Sequence, residues 1–184
     1  MKILITNDDG IDAPGLAVLY KIALGLTSAE KILTVAPATE QSGVSHAISY
    51  HSSINLEKIT KNRWACHGTP ADCVIVGISE YDHKFDLVLS GVNRGNNAGQ
   101  NTMYSGTVGA TIEAAMNGIP AIALSQFFGP NLDNENIFDA VSMHGLNTIQ
   151  NILSIDIWNN NSAPIHYNVN FPPCLGTDVT GTSF

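Results

Sequence analysis

The chain has 184 residues, a formal net charge of −8, 44% apolar residues and only 13% charged ones. That length and composition suit one folded domain with a substantial core and exclude a disordered chain. The acidic balance excludes the electrostatic footprint of a nucleic-acid polymer binder, and no apolar run reaches membrane-spanning length, so neither partner is expected.

Lys2 to Thr6 is a short aliphatic run and predicts a buried strand at the N-terminus. Asn7 to Pro14 is a polar turn, and Leu16, Leu19, Ala23 and Leu26 then recur at helical spacing, predicting a helix over Gly15 to Leu26. Ile32 to Ala36 is a second buried strand, so the chain opens with a βαβ unit and a parallel strand pair. A loop from Pro37 to Ser45 follows. Ala47 to Lys58 and Arg63 to His67 alternate and predict an extended β-hairpin arm. Thr69-Pro70-Ala71-Asp72 is a helix start, with Thr69 as cap and Pro70 in the first helical position, and this helix is expected to reach Ser79. Leu87 to Ser90 is a third strand before a long loop, Gly91 to Tyr104. Ser105 caps a helix from Gly106 to Asn117, and Ala121 to Leu124 is a fourth strand. Phe138, Val141, Ile149 and Ile152 mark another helix, Asn159 to Ser162 a turn, and Ile165 to Phe171 a last strand. Strands alternating with helices predict an α/β fold around a mostly parallel sheet.

In such folds ligands lie beyond the carboxyl ends of the strands. There the sequence is rich in oxygen donors. The first strand ends in Asn7-Asp8-Asp9-Gly10. Two adjacent carboxylates repel, and a hard cation such as Mg²⁺, Mn²⁺ or Ca²⁺ relieves that repulsion. An Asx turn capping the next helix is the plainer reading of the pair taken alone. Ser42 and Asn93, in the loops after the second and third strands, are neutral oxygen donors able to complete a cation's shell. Gly91 to Gly99 holds three Gly and three Asn in nine residues, a composition suited to close backbone approach. Ser105-Gly106-Thr107 opens a helix, and free N–H groups at a helix start bind anions, although the segment also reads as a simple cap. Together these features fit metal-assisted phosphoryl chemistry in which Asp8 or Asp9 orients water or accepts its proton.

Three rival readings lack a required residue. A metal-binding receiver domain needs an acceptor Asp at the end of the third strand, where this chain has Ser90-Gly91. A phosphatase with an aspartyl intermediate needs a second Asp two positions after the first, where this chain has Gly10 after Asp9. A dinucleotide-binding module without hydrolysis needs a Gly-x-Gly-x-x-Gly turn, which is absent. Cys66 beside His67 offers a nucleophile and base with no accompanying oxyanion pattern. Three cysteines are too few and too odd in number for a disulfide framework, and the N-terminal apolar run is too short for a signal peptide. Reduced thiols and a cytoplasmic location are therefore expected.

Six motifs occur in one order. They are Asn7-Asp8-Asp9-Gly10, Ala36-Pro37 with Ser42-Gly43, Gly68-Thr69-Pro70-Ala71-Asp72-Cys73, Ser90-Gly91-Val92-Asn93-Arg94-Gly95, Tyr104-Ser105-Gly106-Thr107-Val108 and Asn168-Val169-Asn170-Phe171-Pro172. In these the chain resembles the SurE (survival protein E) family of 5′/3′-nucleotidases. The resemblance implies a Rossmann-like three-layer core and a divalent-metal-dependent phosphomonoesterase acting on nucleoside monophosphates. It implies one Mg²⁺ or Mn²⁺ per subunit on Asp8, Asp9, Ser42 and Asn93, with Asn97, Ser105, Gly106 and Thr107 toward the phosphate, and homodimers or homotetramers. Family members usually have Pro where this chain has Asn96. They also continue past the equivalent of Phe184, so a single nucleotidase domain without the family's C-terminal segment is expected.

Overall fold

The computed structural model describes residues 1–81, 84–129, 132, 136–155, 158 and 165–183. Seven strands form one sheet: β1 (Ile3–Thr6), β2 (Ile32–Pro37), β3 (Leu56–Thr60), β4 (Arg63–Cys66), β5 (Leu87–Arg94), β6 (Ala121–Gln126) and β7 (His166–Phe171), in the order β3-β4-β2-β1-β5-β6-β7. Every pairing is parallel except β3 with β4. Among the described residues four α-helices cover the sheet: α1 (Pro14–Leu24), α2 (Pro70–Glu80), α3 (Gly106–Met116) and α4 (Asp139–Leu153).

The alternation inside β1 separates the layers, because successive strand side chains point to opposite faces. Ile3 and Ile5 pack with Leu16, Leu19 and Ile22 of α1 and Val141, Ile149 and Ile152 of α4. Leu4 packs on the other face with Cys73 and Val74 of α2 and Ala110 and Ala114 of α3. All three β1 side chains are fully buried. The strand that carries Asp8 and Asp9 therefore lies in the middle of the sheet with a helix layer on each side.

The structure departs from the sequence expectations in three places. β5 runs on through Gly91 and Asn93 to Arg94, where a loop was expected. Its register against β6 slips between Gly91 and Asn93, so Val92 is the extra residue of a bulge just before Asn93, a device that redirects side chains at a sheet rim. A Cβ on Gly91 would lie 2.2 Å from the Leu124 carbonyl oxygen, so this strand position needs glycine. The predicted hairpin forms, as β3 and β4, but as the edge pair of the sheet rather than a projecting arm, because β4 pairs with β2. Residues 47–55 before it have no regular strand and are held at the start of α2, where Ser49 donates to Asp72 and Thr69 Oγ1 donates to the Ala47 carbonyl. The turn expected at Asn159 to Ser162 lies outside the described residues.

Candidate active site at the carboxyl ends of the strands

The loops after β1, β2 and β5 meet the start of α3 around an open cleft of about 1220 Å³. Asp8, Asp9, Ser42, Asn93, Asn97 and Ser105 all line it, so the structure brings together six of the eight residues singled out from the sequence. Gly106 and Thr107 lie directly behind, against Asp8.

Asp8 is 5% exposed. Thr107 Oγ1 donates to Asp8 Oδ1 at 2.6 Å, and the Thr107 N–H donates to Oδ2 at 3.2 Å. A Cβ on Gly106 would come within 3.0 Å of the Asp8 Cβ, so glycine lets the helix start approach this carboxylate. Thr107 was expected to face a phosphate; here its amide and hydroxyl both hold Asp8. The Val108 N–H is capped by Ser105 Oγ at 3.1 Å. Gly106 is then the first-turn amide of α3 with no acceptor among the described residues.

Asp9 accepts the Arg94 N–H at 3.3 Å. Burial first, and then the neighbouring Asp8 charge, push the Asp9 carboxyl up to about 6. Burial likewise raises Asp8, against the lowering effect of the Thr107 bonds. Ser42 Oγ donates to Glu40 Oε1 at 2.7 Å, which fixes the hydroxyl proton and leaves its lone pairs available. Asn93 Nδ2 donates to the Gly95 carbonyl at 3.1 Å, which leaves Oδ1 as the atom able to bind a ligand.

Asn97, which was expected to face the phosphate, is 7% exposed and forms the hub of the rim. Its Nδ2 donates to Ser125 Oγ at 2.9 Å, its N–H to Asn170 Oδ1 at 2.7 Å, and its carbonyl accepts from Asn168 Nδ2 at 2.8 Å. These bonds fix the segment at Asn96 without the family's usual proline. Asn168 and Asn170 alternate along β7 and so share a face, a period-two signal legible in the sequence.

The residues fit a hard divalent cation. Asp8, Asp9, Ser42 and Asn93 are an all-oxygen donor set. Among the described residues no three His, Cys, Asp or Glu side chains gather as a metal-binding group, so neutral Ser and Asn oxygens would have to complete the shell. Two carboxyls raised by burial and by neighbouring carboxylate charge, Glu40 on both and Asp8 on Asp9, are the condition a cation relieves. At the same strand ends, Asn7 Oδ1 and Ser90 Oγ are buried without hydrogen-bond partners. The Cys66 and His67 reading is not supported: Cys66 is fully buried and its thiol partner is Cys73, while His67 is exposed.

A parallel α/β sheet whose carboxyl-end cleft joins paired carboxylates, neutral oxygen donors and a helix start has the layout of a phosphoryl-transfer hydrolase. The family model described as Survival protein SurE matches residues 3–184, and the chain belongs to the SurE family. It is 51% identical over 185 residues to a 5′-nucleotidase SurE of Roseobacter denitrificans, covering 98% of this chain and 71% of that protein. A 5′-nucleotidase SurE of Cereibacter sphaeroides is 50% identical over 187 residues, with the same coverage. The crystal structure of a SurE protein from Aquifex aeolicus matches with a TM-score of 0.81 at 34% identity, over 100% of this chain and 71% of that one.

Proposed function

We propose that the protein is a divalent-metal-dependent phosphatase that hydrolyses nucleoside 5′-monophosphates, and 3′-monophosphates by the same chemistry, to nucleoside and phosphate. One observation carries the reading: four oxygen donors from three separate segments of the chain, Asp8, Asp9, Ser42 and Asn93, converge on one cleft at the carboxyl end of the sheet. Relatives about 50% identical, named as 5′-nucleotidases, support the substrate class.

In this reading Asp8, Asp9, Ser42 and Asn93 hold one Mg²⁺ or Mn²⁺. The ion supplies neutralisation of charge on the phosphoryl oxygens and lowers the pKa of water. The remaining chemistry belongs to the chain. Thr107 fixes the Asp8 carboxylate by two bonds, so its geometry is set before substrate arrives. Asp9 is the more open of the pair; it orients the attacking water and accepts its proton. The Gly106 N–H and the Ser105 edge of α3 face the phosphate at the positive end of the helix dipole. Asn97 shapes the rim on that side.

Assembly as a homodimer or homotetramer is part of the proposal and is read by light scattering. So is a cytoplasmic location, which three unpaired thiols suit; among the described residues no helix is long and apolar enough to cross a membrane. The decisive assay is phosphate release from a panel of nucleoside monophosphates with Mn²⁺ or Mg²⁺, repeated with a chelator. Release that disappears with the chelator is expected. Release indifferent to the chelator, or none from a folded protein that binds the ion, would overturn the proposal.

A further inference from the structure

The cleft has an imbalance of charge and an aromatic wall that the four donors do not use. Its charged lining residues are Asp8, Asp9, Glu40 and Arg94: three carboxylates and one cation. A phosphate monoester adds further negative charge, and one divalent ion cannot balance all of it. Arg94 is in no ion pair, although its charge acts on nearby Asp9; the ion pairs among the described residues are Arg63 with Asp12 and His46 with Glu113. It follows Asn93 at the end of β5, and its own N–H reaches Asp9, so its side chain starts beside the acidic pair. Its guanidinium carbon lies 5.2 Å from the centroid of the Phe128 ring, within cation–π range.

Phe128 stands two residues beyond β6 and is 41% exposed, although it lines the cleft. Ile137 and Phe138 line the same cleft. A site built only for phosphate has no use for an exposed aromatic wall, whereas a nucleobase presents a flat face that stacks on one. The planar guanidinium matches two phosphoryl oxygens, and stacking on a ring holds it preorganised.

We propose that Arg94 and Phe128 form a substrate clamp in which the Arg94 guanidinium binds the phosphoryl group and the Phe128 ring stacks on the base. Arg94 thereby supplies the positive charge that the acidic cleft lacks, and Phe128 both steadies Arg94 and selects nucleotides over phosphate esters without a base. This rests on the nucleotidase reading and adds two substrate-contacting residues to it.

The test uses the unaltered protein, Arg94→Gln and Phe128→Leu, each loaded with Mn²⁺. The substrates are adenosine monophosphate and ribose 5-phosphate, and inorganic phosphate and adenosine serve as competitive inhibitors. Activity of the unaltered protein on adenosine monophosphate is the prior condition; its absence would sink the nucleotidase reading, whatever the variants do. Arg94→Gln should lower kcat/KM about a hundredfold for both esters and weaken inhibition by phosphate, with Mn²⁺ affinity retained. Phe128→Leu should raise KM for adenosine monophosphate about tenfold and weaken inhibition by adenosine to a similar degree, with a smaller loss of about two- to threefold in phosphate inhibition and ribose 5-phosphate turnover, because Leu no longer steadies Arg94. Both variants should keep the unaltered melting temperature, since neither side chain is in the core. Arg94→Gln that leaves phosphate inhibition unchanged would overturn the Arg94 assignment. Equal losses on both esters in Phe128→Leu would overturn the stacking assignment.

Discussion

The two sides of the cleft are built differently. Asp8, Asp9 and Asn93 sit at the ends of β1 and β5, adjacent central strands in register over Ile3–Thr6 and Leu87–Ser90. Ser42 sits on a segment with no regular structure between the end of β2 and the start of β3. That segment is held by polar contacts. The Gln41 N–H donates to the Asp8 carbonyl at 2.7 Å, Ser45 Oγ donates to the Met103 carbonyl at 2.8 Å, and His46 Nε2 pairs with Glu113 Oε2 at 2.8 Å. Ser49 donates twice to Asp72, whose carboxylate also accepts the Thr69 N–H in the capping box of α2. The strand side is thus placed by hydrophobic packing and the loop side by a few side-chain bonds. Changes on the strand side should remove chemistry, and changes on the loop side should loosen it.

The largest effect is expected at Asp8. Asp8→Asn removes a charged donor from a site that holds both substrate and water, and should cut turnover about a thousandfold while weakening Mn²⁺ binding. Turnover that survives in Asp8→Asn at limiting Mn²⁺ would remove Asp8 from the donor set. Thr107→Val tests the support behind it. The isosteric change deletes the 2.6 Å bond to Asp8 and keeps the buried volume, so Mn²⁺ affinity should fall about ten- to a hundredfold, as when partners of metal ligands are lost. Calorimetric titration with Mn²⁺ reads this directly. An unchanged affinity would mean that the strand end alone sets Asp8.

The loop side should respond more weakly. Glu113→Gln weakens the bond to His46 four residues beyond Ser42, and Mn²⁺ affinity should fall by a factor of about three to ten. Asp72→Ala also frees Ser49 but removes the α2 capping box, so it should lower stability by about 1–2 kcal/mol as well. The pair separates the two roles: a melting-temperature drop in Asp72→Ala without an affinity loss in Glu113→Gln would show that the loop positions Ser42 without its tether.

This division also explains what the sequence revealed. Ile3, Leu4 and Ile5, the helical stripe Leu16-Leu19-Ala23 and the Thr69 and Ser105 caps are local signals, and the α/β fold follows from them, whereas the three-layer core was implied by the family resemblance. Asp8, Asp9 and Ser42 were legible because strand-end position and residue chemistry coincide. The continuation of β5 was hidden because Gly91 and Asn93 look like loop residues, and only the close approach of β6 explains a glycine there. The Thr107 bond to Asp8 spans 99 positions, and the tether of His46 to Glu113 spans 67. No local pattern encodes such pairings. Phe128 left a faint trace, two consecutive Phe just after a buried strand, but its place in the cleft depends on Arg94 from another strand.

The smallest effect should be the pH dependence of stability that the two strand-side carboxylates contribute. Asp9 titrates at about 6 in the folded protein against 3.8 ordinarily, and Asp8 shifts in the same direction. Between about pH 4 and 6 the folded state therefore holds more protons than the unfolded chain, so the metal-free protein loses stability from these groups as pH rises through that window. A cation bound by both carboxylates reverses the sign, because proton and ion compete for the same oxygens, and stabilisation by Mn²⁺ should grow across the same window. Melting temperatures with a chelator and with Mn²⁺, compared between the unaltered protein and Asp9→Asn, isolate the contribution. The substitution should flatten the metal-free difference and most of the Mn²⁺ gain together. If it removed one without the other, the raised carboxyl and the cation site would be separate features of the rim.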